Sequence, residues 1–142
     1  MNIIFTQGVF VHLICSKVNC VFFIVSGFNY VMLWSYIYNI AMDYSNTTQT
    51  EIYAATSRGI RRSEDGRATW TPVLGGSQSA DWSDIVVTST GVCYAHISSD
   101  GTQPGFWRST DGITWVNISP TDLPNNHDRT LIAYAPSNEN VV

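Results

Sequence analysis

The sequence predicts an all-β fold: two four-stranded antiparallel units and the start of a third, preceded by an apolar leader over residues 1–37. Three observations carry this expectation. Aromatic residues make up 13% of the 142 residues, with five Trp and seven Tyr, a composition that suits sheets better than helices. Long runs of Ala, Leu, Glu and Lys are missing, which lowers the case for a helical bundle. Finally, "RRSEDGRATW" at 61–70 is echoed by "WRSTDGITW" at 107–115, and internal repetition is tested before any other feature of a fold.

The leader comes first in the chain. Val18 to Tyr38 has about the length that spans a bilayer core, roughly 20 residues, yet it holds Asn19, Gly27 and Asn29, with Lys17 just before it. A secretory signal would place positive charge ahead of its apolar core and small residues behind it. Residues 1–37 are therefore open to three readings: a signal, a membrane segment or a non-native extension. Membrane contact is expected only if residues 18–38 are a real anchor. Cys15, Cys20 and Cys93 are an odd number without a CxxC pair, so they read as isolated cysteines rather than a zinc motif.

From residue 38 the chain changes to short alternating segments separated by Ser, Asn, Thr and Gly. Alternation and turn signals place strands at 38–43, 51–56, 59–63 and 68–74, then at 84–88, 92–98, 105–109 and 114–118, with one more at 130–135. Ser63 and Ser109 lie 46 positions apart and Trp70 and Trp115 lie 45 apart. "IAMDYSN" at 40–46 resembles "IAYAPSN" at 132–138, two periods away, with "VVTSTG" at 86–91 midway. A Tyr-Ala step follows in both copies, at Tyr53 and Tyr94. Four antiparallel strands in a unit of 40 to 50 residues is the pattern of a β-propeller blade.

The repeated stretch falls between the third and fourth strands, where its residue types suit a tight turn. Asp65 and Asp111 can accept hydrogen bonds from nearby backbone amides. Gly66 and Gly112 can take the positive φ that such a turn requires. Ser63 and Ser109 offer a hydroxyl at the turn entrance, and Trp70 and Trp115 bring large rings into the fourth strand.

"SEDGRATW" and "STDGITW" resemble the Asp box, or BNR repeat, of general form Ser-X-Asp-Gly with Thr-Trp a few residues on. The flanking "GIRRSEDG" and "GFWRSTDG" are similar to the common approach to that box. The family includes sialidases, sortilin-type receptors, xyloglucan-cleaving glycosidases and many secreted bacterial propellers. The resemblance covers about residues 38 to 142 and implies a partial Asp-box β-propeller, a fragment whose remaining blades would be its partners. It also implies a secreted or cell-surface protein. In the family the box lies away from the active site, so Ser63, Asp65, Gly66, Trp70, Ser109, Asp111, Gly112 and Trp115 are expected to be structural. The second box is one residue shorter between its glycine and its tryptophan.

Chemistry is expected on the opposite loops, at 74–84, 99–106 and 119–129. They carry Asp81, Trp82, Asp84, Asp100, Asp122, His127, Asp128 and Arg129. Glycoside hydrolysis generally needs two carboxyl groups about 5 to 10 Å apart, which makes Asp84 and Asp128 the catalytic candidates. Asp81, Trp82, His127 and Arg129 are the ligand-binding candidates, with Trp82 able to stack on a sugar ring. The sialidase arrangement is disfavoured, because most arginines lie beside the Asp boxes and the Phe/Tyr-Arg-Ile-Pro segment is absent. His12, His96 and His127 are too scattered in sequence to suggest a metal, and no cofactor motif is present. A formal charge of -4 with 13% charged residues leaves no basic face for nucleic acid. The expected function is a non-catalytic module for polysaccharide or protein, with part of a glycoside hydrolase as the alternative.

Overall fold

The computed structural model describes residues 9–15, 20–26, 36–76, 79–139 and 141–142. The chain divides into two compact units, Met1–Leu33 and Trp34–Val142. In the first, β1 (Val9–Cys15) and β2 (Cys20–Ser26) form an antiparallel hairpin in which Cys15 is the register partner of Cys20. Among the described residues no helix is long and apolar enough to cross a membrane. The expected membrane segment at 18–38 falls on β2 and on residues 36–38, and otherwise, at 18–19 and 27–35, outside the described residues.

The second unit is all-β. Its first sheet has the order β3 (Ile37–Asp43), β4 (Glu51–Thr56), β5 (Gly59–Ser63), β6 (Thr71–Leu74). Its second has β7 (Ser83–Val87), β8 (Cys93–Ile97), β9 (Gly105–Ser109) and β10 (Val116–Asn117), also adjacent in chain order. All pairings are antiparallel. One cross-strand row of the first sheet runs Ala41, Tyr53, Arg62, Thr71. Its equivalent in the second runs Val86, Tyr94, Arg108, Val116. The two sheets are thus the same meander built twice.

The rows also correct the sequence alignment. Ala41 corresponds to Val86, so Ile40 matches Ile85 rather than Val86, one residue from where a uniform period puts it. The period is not uniform. The connection at 88–92 shortens the second copy, and the longer one at 98–104, against 57–58 in the first, restores the spacing. The fourth strands are also shorter than the alternation suggests. The amides of Arg67 and Thr69, and of Ile113 and Thr114, go to side-chain acceptors in the turns, and pairing begins only at Thr71 and Val116. Residues 130–135 do not form a strand. The Ile132 amide is bonded to a carboxylate instead of to a ladder, and Ala135 makes only an isolated bridge to Asn138.

Alternation sorts the side chains by face. Tyr53, Ala55 and Ile60 of the first sheet pack against Ile85, Cys93, Ala95 and Ile97 of the second, with Ala41, Val87, Trp107 and Trp115 at the margin. Burying these side chains drives the packing at roughly 25 cal/mol per Å² of apolar surface. On the other face of β8, Tyr94 and His96 are buried as well, beneath the segment that follows residue 126.

The two repeated turns have closely similar networks. Ser63 Oγ donates to Asp65 Oδ1 (2.9 Å) and accepts from the Arg67 amide (2.8 Å); Asp65 also accepts from the Thr69 amide (2.9 Å) and hydroxyl (2.6 Å). Ser109 Oγ donates to Asp111 Oδ1 (2.9 Å) and accepts from the Gly112 amide (2.9 Å); Asp111 accepts from the Ile113 (2.9 Å) and Thr114 (2.7 Å) amides. Gly66 and Gly112 both have φ 68°. The missing residue in the second turn leaves this arrangement intact. Trp70 and Trp115 stand immediately before β6 and β10, half-buried rather than within the strands.

One difference separates the turns. A Cβ on Gly112 would lie 1.8 Å from the Tyr53 hydroxyl, 2.8 Å from its Cζ and 3.1 Å from Arg62 Nε, whereas one on Gly66 would meet nothing nearer than 4.0 Å. The second turn therefore sits directly on the first sheet. Tyr53 is fixed there by a hydrogen bond to Glu51, which also pairs with Arg62.

Both Gly66→Ala and Gly112→Ala incur the left-handed backbone penalty of about 1 kcal/mol. Only Gly112→Ala should separate the sheets, and its melting temperature should fall well below that of Gly66→Ala. Equal melting temperatures would show that the Gly112 contact contributes nothing. Trp115→Ala should cost about 2–4 kcal/mol in denaturant unfolding, since its ring packs on the core cluster.

Candidate functional site

The meander puts every connection at one of two ends. The serine–aspartate turns share one end with the connections at 44–50 and 88–92. The other end carries 57–58, 75–76, 79–82, 98–104 and the segment after β10. Of the eight residues singled out from sequence, Asp81, Trp82 and Asp100 lie in the loops of this end, Asp84 at the start of β7 beside them, and Asp122, His127, Asp128 and Arg129 in the segment after β10.

The Trp82 ring lies between two partners. Tyr38 of β3 packs against it at a centroid distance of 5.0 Å and an angle of 44°, and the Arg129 guanidinium stands 4.8 Å over it. Tyr36 stacks on Tyr38 at 6.5 Å and 22°, and is 67% exposed. Trp82 is held by its backbone, with its amide donating to Ser98 Oγ (3.1 Å) and its carbonyl accepting from the Ser98 amide (3.0 Å). Asp100 closes the same corner, accepting from Ser98 Oγ (2.5 Å) and from the Asp81 amide (2.9 Å). The Tyr38 phenol is raised above its ordinary range by burial and by the charges of Asp81 and Asp100.

The expected catalytic pair is not alike in its surroundings. Asp84 is 4% exposed. Its Oδ1 accepts from Asn39 Nδ2 (2.6 Å) and from the Ile85 amide (3.0 Å), and its Oδ2 accepts from the Ile132 amide (2.8 Å). Asp128 is exposed on the loop surface, as is Asp122. The first therefore ties three segments together while the second faces solvent. Asn39 is the equivalent of Asp84 in the first sheet, and it behaves in the same way: its Oδ1 accepts from the Ile40 amide (2.8 Å), and its Nδ2 reaches the Ile85 carbonyl (3.1 Å).

His127 meets a partner that sequence reasoning did not supply. His96 Nε2 and His127 Nδ1 are 3.1 Å apart, although 31 positions separate the residues. His96 is fully buried, tilted against the Phe106 ring at 4.8 Å and 46°, and is the register partner of Asp84. Its equivalent in the first sheet is Ala55, which faces the core. The loop is held further by the Ser99 amide on the His127 carbonyl (2.9 Å) and by Ser99 Oγ on Asn126 Oδ1 (3.2 Å). Among the described residues no group of three or more His, Cys, Asp or Glu side chains could hold a metal ion. Cys93 is buried, and burial pushes its thiol up to about 12, so it is a packing residue at neutral pH.

No protein-family model matches this chain, and neither a curated protein nor a solved structure matches it.

Burial lowers the His96 pKa to about 4, with His127 adding to the effect and Asp84 opposing it. The folded state therefore holds His96 neutral while the unfolded chain protonates near 6.5. Stability from this source is complete above pH 6.5, falls as the pH drops toward about 4, and is constant below that. The expected loss is about 3 kcal/mol across the window. Urea unfolding at intervals from pH 8 to 4 should show the decline, and a folded His96→Phe variant should lack it.

Proposed function

We propose that residues 38–142 are two successive blades of an Asp-box β-propeller belonging to a secreted or cell-surface protein. In this reading the loop end binds a polysaccharide or protein ligand without catalysis. The carrying observation is the division of labour between the two ends. Asp65 and Asp111 are spent on their own turns, whereas the opposite end gathers Tyr38, Trp82 and Arg129 from three segments beside Asp81 and Asp100.

Further blades would pack on the outer face of the second sheet, beside the segment that follows residue 126. The supporting feature is an apolar groove of about 430 Å³ that includes Phe106, Ile118, Leu131 and Ile132. Phe106 is the equivalent of Ile60, which is fully buried by the second sheet in the first copy. What the first sheet finds in the second, the second finds in the next.

The position of Asp84 supports the non-catalytic reading. A carboxylate already accepting from two backbone amides and one side-chain amide has little left to offer a glycosidic oxygen or a water. Asp84→Ala should lower unfolding stability by about 1–3 kcal/mol, the cost of leaving buried donors unpaired. The direct test is a panel of cello- and xyloglucan oligosaccharides offered to the full chain, with binding and release of reducing ends both measured. No release of reducing ends is expected, whichever of the two ligand classes the loop end takes. Release of reducing ends that Asp84→Ala or Asp128→Ala abolishes would overturn the non-catalytic reading.

A further inference from the structure

The loop end has a feature that a simple sugar platform would lack. Trp82 is not a bare ring: Tyr38 packs against it at a tilt and the Arg129 guanidinium stands over it. Arg129 is itself exposed, and among the described residues no ion pair holds it. Its contact with the ring is therefore the electrostatic attraction of a cation to an aromatic face. Beside that contact are Tyr36 and Tyr38, and the chain neighbour Asp81, whose amide is bonded to the Asp100 carboxylate (2.9 Å), adds acidic groups to the same end.

We propose that this corner is a cation-binding site for an arginine side chain of a protein partner, and that Arg129 is its internal occupant, displaced when the partner binds. The proposal rests on the reading of the loop end as a binding surface and narrows its ligand to a protein. A neutral sugar would gain only stacking area at Trp82 and would have to displace a cation to obtain it. A guanidinium gains the ring quadrupole together with the negative charge of Asp81 and Asp100, neither of which a sugar hydroxyl exploits to the same degree. The aromatic row extends outward through Tyr36, so an incoming side chain can engage the exposed ring before Arg129 leaves. Displacement costs little, because an exposed cation–π contact is weak.

The test is an NMR titration of the full chain, following the Trp82 indole N–H signal, identified by its loss in Trp82→Phe. The probes are acetyl-Gly-Arg-Gly-amide, its glutamine analogue and cellotetraose. The arginine peptide should shift the signal and the glutamine analogue should not. Removing the internal occupant by Arg129→Ala should tighten binding of the arginine peptide about two- to fivefold, and Arg129→Gln should do the same. Tyr36→Ala, at an exposed position, should weaken it.

Unchanged or weaker affinity in the Arg129 variants would overturn the proposal, as would equal binding of the glutamine analogue. If cellotetraose alone shifts Trp82, the cation site falls while the loop-end binding reading stands. If no probe shifts it, both fall.

Discussion

The arrangement depends on how the bare edge of each sheet's first strand is satisfied. β3 and β7 are edge strands, with N–H and C=O groups that no neighbour in their own sheet can pair, and such groups are costly when buried without partners. Asn39 and Asp84 solve the problem with side chains. Asn39 reaches from β3 to the Ile85 carbonyl and to Asp84 in the next sheet, and Asp84 reaches onward to the Ile132 amide. Each such side chain also accepts from the amide that follows it. The result is a relay of polar contacts between sheets that share no ladder, with the apolar faces of Tyr53, Ile60, Ile85 and Ile97 closing beside it. The relay sets how one sheet sits on the next, and through that it sets where the loops meet.

The residue choice along the relay has a reason. Asn39 must both donate and accept, because the second sheet presents it with a carbonyl and a carboxylate while the Ile40 amide of its own strand presents a hydrogen. Asp84 must only accept, because it faces two amide hydrogens and the Asn39 amide. An amide side chain suits the first position and a carboxylate the second. An aspartate chosen for this purpose resembles a catalytic acid when only its type and its loop are visible.

That resemblance shows where sequence reading succeeds and where it stops. The serine–aspartate–glycine turns were legible because their hydrogen bonds close within four or five residues, and the strands because their alternation is local. The match of Ile40 to Ile85 was missed by one residue because two connections change length in opposite directions. His96 and His127 read as scattered because only tertiary packing brings them together. Trp82 read as an open stacking surface because nothing in its neighbourhood announces Arg129, 47 positions away. Local chemistry was visible, and chemistry assembled from three segments was not.

The two ends also differ in how they respond to protons. Asp65 is held down to about 2 by Thr69, whose hydroxyl and amide it accepts, and Asp111 lies lower still because of the Ile113 and Thr114 amides. Both are depressed carboxylates, so their stabilisation is present above the ordinary carboxylate range and is lost only in strong acid. His96 works in the opposite charge sense and in a milder window, since its buried ring must stay neutral for the fold to keep its full stability. Mild acid therefore leaves the turn end unchanged and loads the loop end, where the His96–His127 contact anchors the segment that carries Arg129 onto Trp82. Asp84 opposes this by favouring the protonated ring, so the same carboxylate that joins the sheets also moderates the acid sensitivity of the loop they support.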